Sequence, residues 1–342
     1  MMMRISKKNV TIKDIAKCAG VAHSTVSLAM NRRAHVSPRM REKILRIAEE
    51  MGYQPNMMAR SLICKKSSTV AVIYPEDSRF FEKTYFLMLI EGIQNACKKH
   101  NRGLMFFGID LAKGETCQKI SKKWQVNPII IINADYAKGI FSEIKELNSN
   151  GIYFSLITKY FGSEMVNSLF VDNFEGVKLA LEYLAGLGHK RVGYISGNLD
   201  SFDGFERLNA FKKISANLGL DQSEELITYG DFTFESAERE ISKLLRLKRR
   251  PTAVFAANDY MALAAIRKIK TSGLSIPKDI AVMGFDDTLE AAYVEPGLTT
   301  IKQPLREMGE KAVDLAIRNM EHPALKPQSM IFKPELIKRQ SC

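Results

Sequence analysis

Two textures divide the chain. Over residues 11–51, apolar positions return at the spacing of amphipathic helices in three short runs. Thr11-Ile12-Lys13-Asp14 opens the first run as a capping-box-like start: the Thr hydroxyl takes an orphan amide, and Asp replaces the usual Glu or Gln. Ser37-Pro38 starts the third, where proline at the first helical position costs no hydrogen bond, and Gly52 suits its exit. On a helix over residues 22–31, Ala22, Val26, Ala29 and Met30 share one side, and His23, Ser24, Ser27, Leu28 and Asn31 the other. The first set reads as core. The second crowds small polar groups at a helix start, just after the Ala19-Gly20-Val21 turn.

After "GYQPN" come a short run, "MMARSLI", and the polar "CKKSS", a linker. From Thr69 the pattern changes to strand-like runs alternating with amphipathic stretches: "TVAVIYP", "GLMFFGI", "PIIIINA", "GIYFSLI", "SLFVDN", "RVGYISG", "TAVFAAND" and "AVMGFDD". Helices over 86–100, 175–187 and 261–273 separate such strands, as in βαβ units with a parallel sheet buried on both faces. Two successive series of similar size predict two similar subdomains.

Charge sharpens this division. Residues 1–66 carry 14 Lys/Arg against 4 Asp/Glu, +10, and the other 276 carry 36 against 34, +2. A surplus confined to one segment points to an anionic polymer or membrane as that segment's partner. No run approaches the roughly 18 apolar residues of a membrane span. "MMMRISKKNVTIK" has no apolar core or cleavage site of a signal peptide, so the expected location is the cytoplasm. Five scattered cysteines (Cys18, Cys64, Cys97, Cys117, Cys342) offer neither a disulfide framework nor a zinc site and read as reduced thiols.

An enzyme is not indicated. There is no phosphate-binding G-x-x-x-x-G-K-[ST], and "GLGHKRVG" precedes a strand, whereas a dinucleotide loop follows one. The histidines (His23, His35, His100, His189, His322) form no nucleophile or metal constellation, and no cofactor is expected. A Gly turn between two short helices fits a helix-turn-helix, whose second helix presents its first side chains to the major groove. Lys13, Lys17, Arg32 and Arg33 flank the turn.

The chain resembles transcriptional regulators of the lactose repressor (LacI/GalR) family. The resemblance is carried by "VTIKDIAKCAGVAHSTVSLAMN", "HVSPRMREKI", "GYQPNMMARSL", "VDNFEGVKLALEYLAGLGHKRVGYISG", "PTAVFAANDYMALAAI" and "GFDDTLEAAYVEPGLTTIKQP". It implies a helix-turn-helix headpiece over 1–56, a hinge helix and linker over 57–68, and an effector-binding and dimerisation domain over 69–342. That last domain resembles periplasmic sugar-binding proteins: two Rossmann-like subdomains with parallel sheets, joined by crossings near 165, 300 and 327. The N-subdomain is then about 69–165 and 300–327, and the C-subdomain about 166–299 and 328–342.

By the same resemblance His23 and Ser24 read bases, while Thr25, Ser27, Asn31 and His35 clamp phosphates or the groove edge; Thr11 and Asn56 join the DNA contacts. Leu28 stands where an arginine is common in the family. A leucine cannot fork onto guanine, which leaves a contact to a thymine methyl or a spectator at the groove edge. Leu62 matches the family's minor-groove lever, with Ala59 allowing close hinge packing and Arg60 supplying charge; the plain alternative is a linker with an incidental leucine. A helix this short is marginal alone, so it orders on DNA with a dimer partner.

In the sensor, Arg207, Asn258, Asp286 and Phe232 match the family's cleft residues, with Asp203 nearby. They suit a polyol or a nucleobase: carboxylate and amide meet hydroxyls, a guanidinium forks onto oxygens and a flat ring covers an apolar face. Each also has a plain reading, Asp286-Asp287 as a strand end and Arg207 as the partner of a surface acid. Phe80 and Phe81 line the pocket from "PEDSRFFEKTYF", where Ser78-Arg79 replaces the family's Asn-Pro. The expected molecule is a cytoplasmic homodimeric repressor binding a pseudo-palindromic double-stranded operator, controlled by a small-molecule effector, with no metal and no membrane. A free ligand-binding protein would need a signal peptide and no basic headpiece, and an architectural DNA binder would not need the sensor.

Overall fold

The computed structural model describes residues 10–30, 36–53, 67–76, 83–110, 113–132, 140–158 and 165–342, with the side chains of 140–142 aside. Contacts divide the chain into two units, Met1–Lys66 and Ser67–Cys342.

The first unit holds α1 (Ile12–Ala19), α2 (His23–Met30) and α3 (Pro38–Glu50). The capping box is complete: Asp14 N donates to Thr11 Oγ1 at 3.4 Å and Thr11 N to Asp14 Oδ2 at 2.9 Å. Gly20 ends α1 at φ +69°, a left-handed conformation that glycine adopts without a Cβ penalty. Ser37 caps α3, its Oγ accepting from Met40 N, and Pro38 takes the first turn. Ile15, Ala16, Ala19, Val26, Ala29, Ile44, Ile47 and Ala48 form the core. So small a unit buries little surface, so truncating Ile15 or Ile44 to Ala, at about 2–5 kcal/mol, removes much of its stability. Ala22, expected in that core, is instead exposed. It precedes α2 and accepts from Thr25 N and Val26 N through its carbonyl, so its side chain is off the helix's buried face.

The second unit contains two six-stranded sheets. The first is built from β1 (Thr69–Pro75), β2 (Gly103–Ile109), β3 (Ile129–Ile132), β4 (Phe154–Ile157), β5 (Asn167–Val171) and β11 (Ser329–Phe332), in the order β11-β5-β4-β3-β1-β2. The second uses β6 (Val192–Ser196), β7 (Ile227–Tyr229), β8 (Ala253–Ala256), β9 (Ala281–Asp286), β10 (Thr299–Lys302) and β12 (Glu335–Ile337), in the order β12-β10-β9-β8-β6-β7. Numbered within its own half, each sheet runs 2-1-3-4-5-6, so the halves repeat one doubly wound topology. The pairings are parallel except for β12, which lies antiparallel to β10 at the edge.

Helices α4 (Thr84–Lys99), α5 (Cys117–Trp124), α6 (Ile140–Ser149) and α12 (Leu305–Glu321) accompany the first sheet. Its pleat sends Val70, Val72, Ile130 and Ile132 toward the core shared with α4 and α12. Ala71, Ile73, Ile129 and Ile131 face the opposite core, with Cys117, Ile144 and Leu147. Burial on both faces explains the unbroken "IIII" of β3. Helices α7 (Asn173–Gly186), α8 (Phe202–Asn217), α9 (Phe234–Arg246), α10 (Asp259–Thr271) and α11 (Leu289–Tyr293) accompany the second sheet around one larger core.

The chain passes between halves at Asp172, at Gln303-Pro304 and at Lys333-Pro334, each time from the end of one sheet's strand. These positions correct the expected crossings near 165, 300 and 327. The halves are 67–171 with 305–332 and 173–302 with 335–342, because β5 and β11 pair with each other in the first sheet. "SLFVDN" was legible as a strand, but which sheet receives an edge strand depends on its partner, here one that lies far along the chain.

Candidate functional site

In the first unit α2 leaves His23 and Ser24 exposed and Thr25, Ser27 and Leu28 half-buried, while Val26 and Ala29 fill the core. A polar helix start is thus held on an apolar back. Lys43 Nζ donates to Ala19 O at 3.1 Å, so α3 supports the carbonyl end of α1 beside the turn. Thr11 is exposed at the start of α1, engaged with Asp14. Asn31, His35, Asn56, Ala59, Arg60 and Leu62 lie outside the described residues, as do Phe80 and Phe81 of the sensor.

In the second unit one cleft opens at the carboxyl ends of both sheets, with about 820 Å³ of empty space, open solvent included. Asp203, Arg207, Phe232, Asn258 and Asp286 all line it. They come from four segments: the first two turns of α8, which carry Asp203 and Arg207, the loop before α9, the cap of α10 and the end of β9. This is where a doubly wound sheet leaves a crevice, beside the point at which strand order reverses between β6 and β8.

Arg207 is 2% exposed and held on three sides. Its Nε donates to Asn173 Oδ1 at 2.7 Å and its Nη1 to Ala257 O at 2.6 Å, and its guanidinium lies 3.7 Å from the Phe285 ring centroid. Asp286 Oδ1 stands 4.0 Å from Nη1 and accepts from Gln303 Nε2 at 2.6 Å. Burial pushes the Asp286 carboxyl well above the usual carboxylate range; Arg207 opposes this and neighbouring Asp259 adds to it. Asp259, fully buried behind the cleft wall, accepts from Thr288 and Thr300, and burial pushes it up to about 6 against those hydrogen bonds. Asn258 caps α10 by accepting from Met261 N at 2.9 Å, which leaves its amide nitrogen as the donor for the cleft.

Backbone strain collects here. Phe232 sits at φ +67° and Asp286 at φ +132°, conformations costing about 1–3 kcal/mol each that surrounding structure must sustain. Gly197 makes room for the Phe232 ring: a Cβ there would lie 2.0 Å from its Cζ.

The cleft also includes residues that sequence reasoning missed. Ser201, Tyr260, Leu263, Thr288 and Glu290 line it from the second half, and Lys83, Thr84, Tyr85, Phe86, Ile157 and Thr158 from the first. Thr84 Oγ1 donates to the Glu290 carboxylate across the opening. Tyr260, Thr288 and Glu290 directly follow the "AAND" and "GFDD" already singled out, so extending those motifs by a few residues would have found them. Asn173 and Gln303 stand behind the lining at the crossings, where only contacts reveal them.

A helix-turn-helix unit followed by a two-sheet domain of periplasmic-binding-protein type defines a DNA-binding transcription regulator. Residues 11–56 match the model of bacterial regulatory proteins of the lacI family, and residues 181–342 that of the periplasmic binding protein-like domain. The HTH-type transcriptional repressor PurR of Aliivibrio fischeri (strain MJ11) is 31% identical over 337 residues, 97% of this chain and 98% of that protein. Among solved structures, the lac repressor dimer bound to operator and the anti-inducer ONPF is 26% identical with TM-score 0.82, covering 98% and 99% of the two chains. The transcriptional regulator CelR–cellobiose complex is 27% identical with TM-score 0.73, covering 97% and 100%. The chain belongs to the lacI family of bacterial regulatory proteins, a family of repressors and related regulators and not of enzymes.

Proposed function

We propose that this repressor acts as a cytoplasmic homodimer on a pseudo-palindromic operator, and that a small neutral molecule in the cleft, a sugar or a nucleobase compound, sets its affinity. What carries the reading is the convergence of Asp203, Arg207, Phe232, Asn258 and Asp286 from four segments on one cleft. Free carboxylate oxygens accept from hydroxyls or ring N–H groups, the Asn258 amide and the guanidinium donate, and Phe232 with Tyr260 offers flat apolar faces. The likeness to a cellobiose complex and to an operator-bound dimer supports both halves of the reading.

His23 and Ser24 are the base-reading residues, with Leu28 on a thymine methyl, and Thr11, Thr25, Ser27, Asn31, His35 and Asn56 position the duplex. Ala59, Arg60 and Leu62 form the hinge and its minor-groove wedge. Phosphate contacts supply most of the affinity. Effector then favours one arrangement of the two halves, changing operator affinity by about 1–3 kcal/mol of coupling.

The test is selection of binding sites from random duplexes near physiological salt, with the full chain and with residues 1–66 deleted. An inverted repeat recovered only by the full chain supports the operator and the dimer together. Enrichment that survives the deletion removes the headpiece from recognition.

A further inference from the structure

Asn173 is the first residue of α7, one position beyond the crossing at Asp172, and is 3% exposed. Asp172 itself is tied to the third crossing, since its N donates to Phe332 O at 2.9 Å. Both ends of the Asn173 amide are in use. Its Oδ1 accepts from Arg207 Nε at 2.7 Å, and its Nδ2 donates to Asp203 Oδ1 at 2.7 Å. One side chain thus serves a base and an acid of the cleft with opposite polarities. An aspartate could hold the arginine but would repel Asp203, and an alanine would hold neither.

We propose that Asn173 is a positioning residue: its amide fixes Arg207 and Asp203 against the first crossing, so that a ligand pairing with either charge acts on the segment joining the two halves. With Nε bonded to Asn173 and Nη1 to Ala257 O, Nη2 is the nitrogen of the fork left for a ligand, and the bond to Asp203 Oδ1 leaves Oδ2. Asn173 therefore selects which atoms a ligand meets. The second clause of the proposal, on ligand, rests on the cleft being the effector site; the first does not.

The test has two arms on the full chain. In the first, 15N-arginine-labelled protein is observed by NMR through its Nε–H signals, with Arg207 identified by the signal lost in Arg207→Lys. Wild type is expected to show a displaced, slowly exchanging Arg207 Nε–H. Asn173→Ala should speed that exchange by about tenfold or more, the weight of one hydrogen bond to a charged group, while Asn173→Asp, which still accepts, keeps it slow. An Arg207 signal with the same shift and exchange in Asn173→Ala as in wild type would overturn the positioning role.

In the second arm, D-ribose, cellobiose, adenine and guanosine are titrated in thermal-shift assays. Any probe that stabilises wild type should bind both Asn173 variants about tenfold more weakly. Equal affinity in all three proteins would remove Asn173 from ligand positioning. If none of the four stabilises wild type, that outcome counts against the effector reading, and the positioning role is decided by the NMR arm.

Discussion

Gln303 Nε2 donates to Asp286 Oδ1 at 2.6 Å, so a side chain on the second crossing holds the carboxylate at the end of β9. Gln303 is 1% exposed and Asp286 4%, and among the described residues Arg207, at 4.0 Å, is the other group that offsets the burial of this carboxyl. Gln303→Leu should therefore destabilise the second unit by about 1–3 kcal/mol, the cost of leaving a buried carboxyl short of a partner. Urea unfolding of the full chain, followed by a probe of the sensor, checks this.

Acid titration carries a second expectation. Burial pushes the Asp259 carboxyl up to about 6, against 3.8 for an ordinary aspartate. Between those values the folded chain retains a proton that the unfolded chain has lost. Stability from this group is complete below 3.8 and is lost as pH rises through 6. Asp286, also raised, acts with the same sign. Asp221, held down at about 2 by Ser223 and Arg191, acts oppositely: its contribution is present above 3.8 and fades only toward 2. Unfolding midpoints compared at about pH 4.5 and about pH 7 should thus differ less in Asp259→Asn than in wild type.

Gly197→Ala would force the Phe232 ring out of its place, since the new Cβ falls 2.0 Å from the ring. The expected result is a weakened effector response with unliganded operator binding retained. Retention of full effector affinity would show that Phe232 is not a wall of the ligand site.

At Gly20 an added Cβ meets nothing within 4 Å, so a substitution there is opposed by the backbone alone. With φ at +69°, Gly20→Ala should cost the headpiece about 1–2 kcal/mol, and Gly20→Asn less, because asparagine tolerates the left-handed region. Thermal melts of the headpiece transition in the two variants give the ordering directly.

Leu28 is half-buried on α2, on the side of the helix that carries the exposed His23 and Ser24. Leu28→Arg should shift selected half-sites toward a guanine at the base Leu28 faces, by about 1–3 kcal/mol of discrimination. An unchanged half-site would make Leu28 a spectator.

Much of this was legible because periodicity survives in short elements. The capping box at Thr11, the turn at Gly20 and the start at Ser37 were each specified by neighbours within four residues. The strands of the first sheet announced themselves by being apolar on both faces. The short strands β7, β10, β11 and β12 did not: each is three or four residues long, and β11 and β12 are partly exposed, so their apolar signal is thin. The cleft shows the same divide. Arg207 and Asp286 lie in motifs, but Asn173 and Gln303 matter through partners that are 34 and 17 residues away, a relation only the folded chain makes visible.

The return of α12 and β11 to the first sheet has a consequence for synthesis. The chain must be made through residue 332 before the first half has all its strands, by which time nearly the whole second half has left the ribosome. The half encoded first thus waits for the last stretch of the chain before it is complete, and until then β5 presents an open edge and α4 lacks the helix that covers it. A stalled or prematurely terminated chain would expose those surfaces, making nascent-chain quality control most demanding over the last stretch of translation.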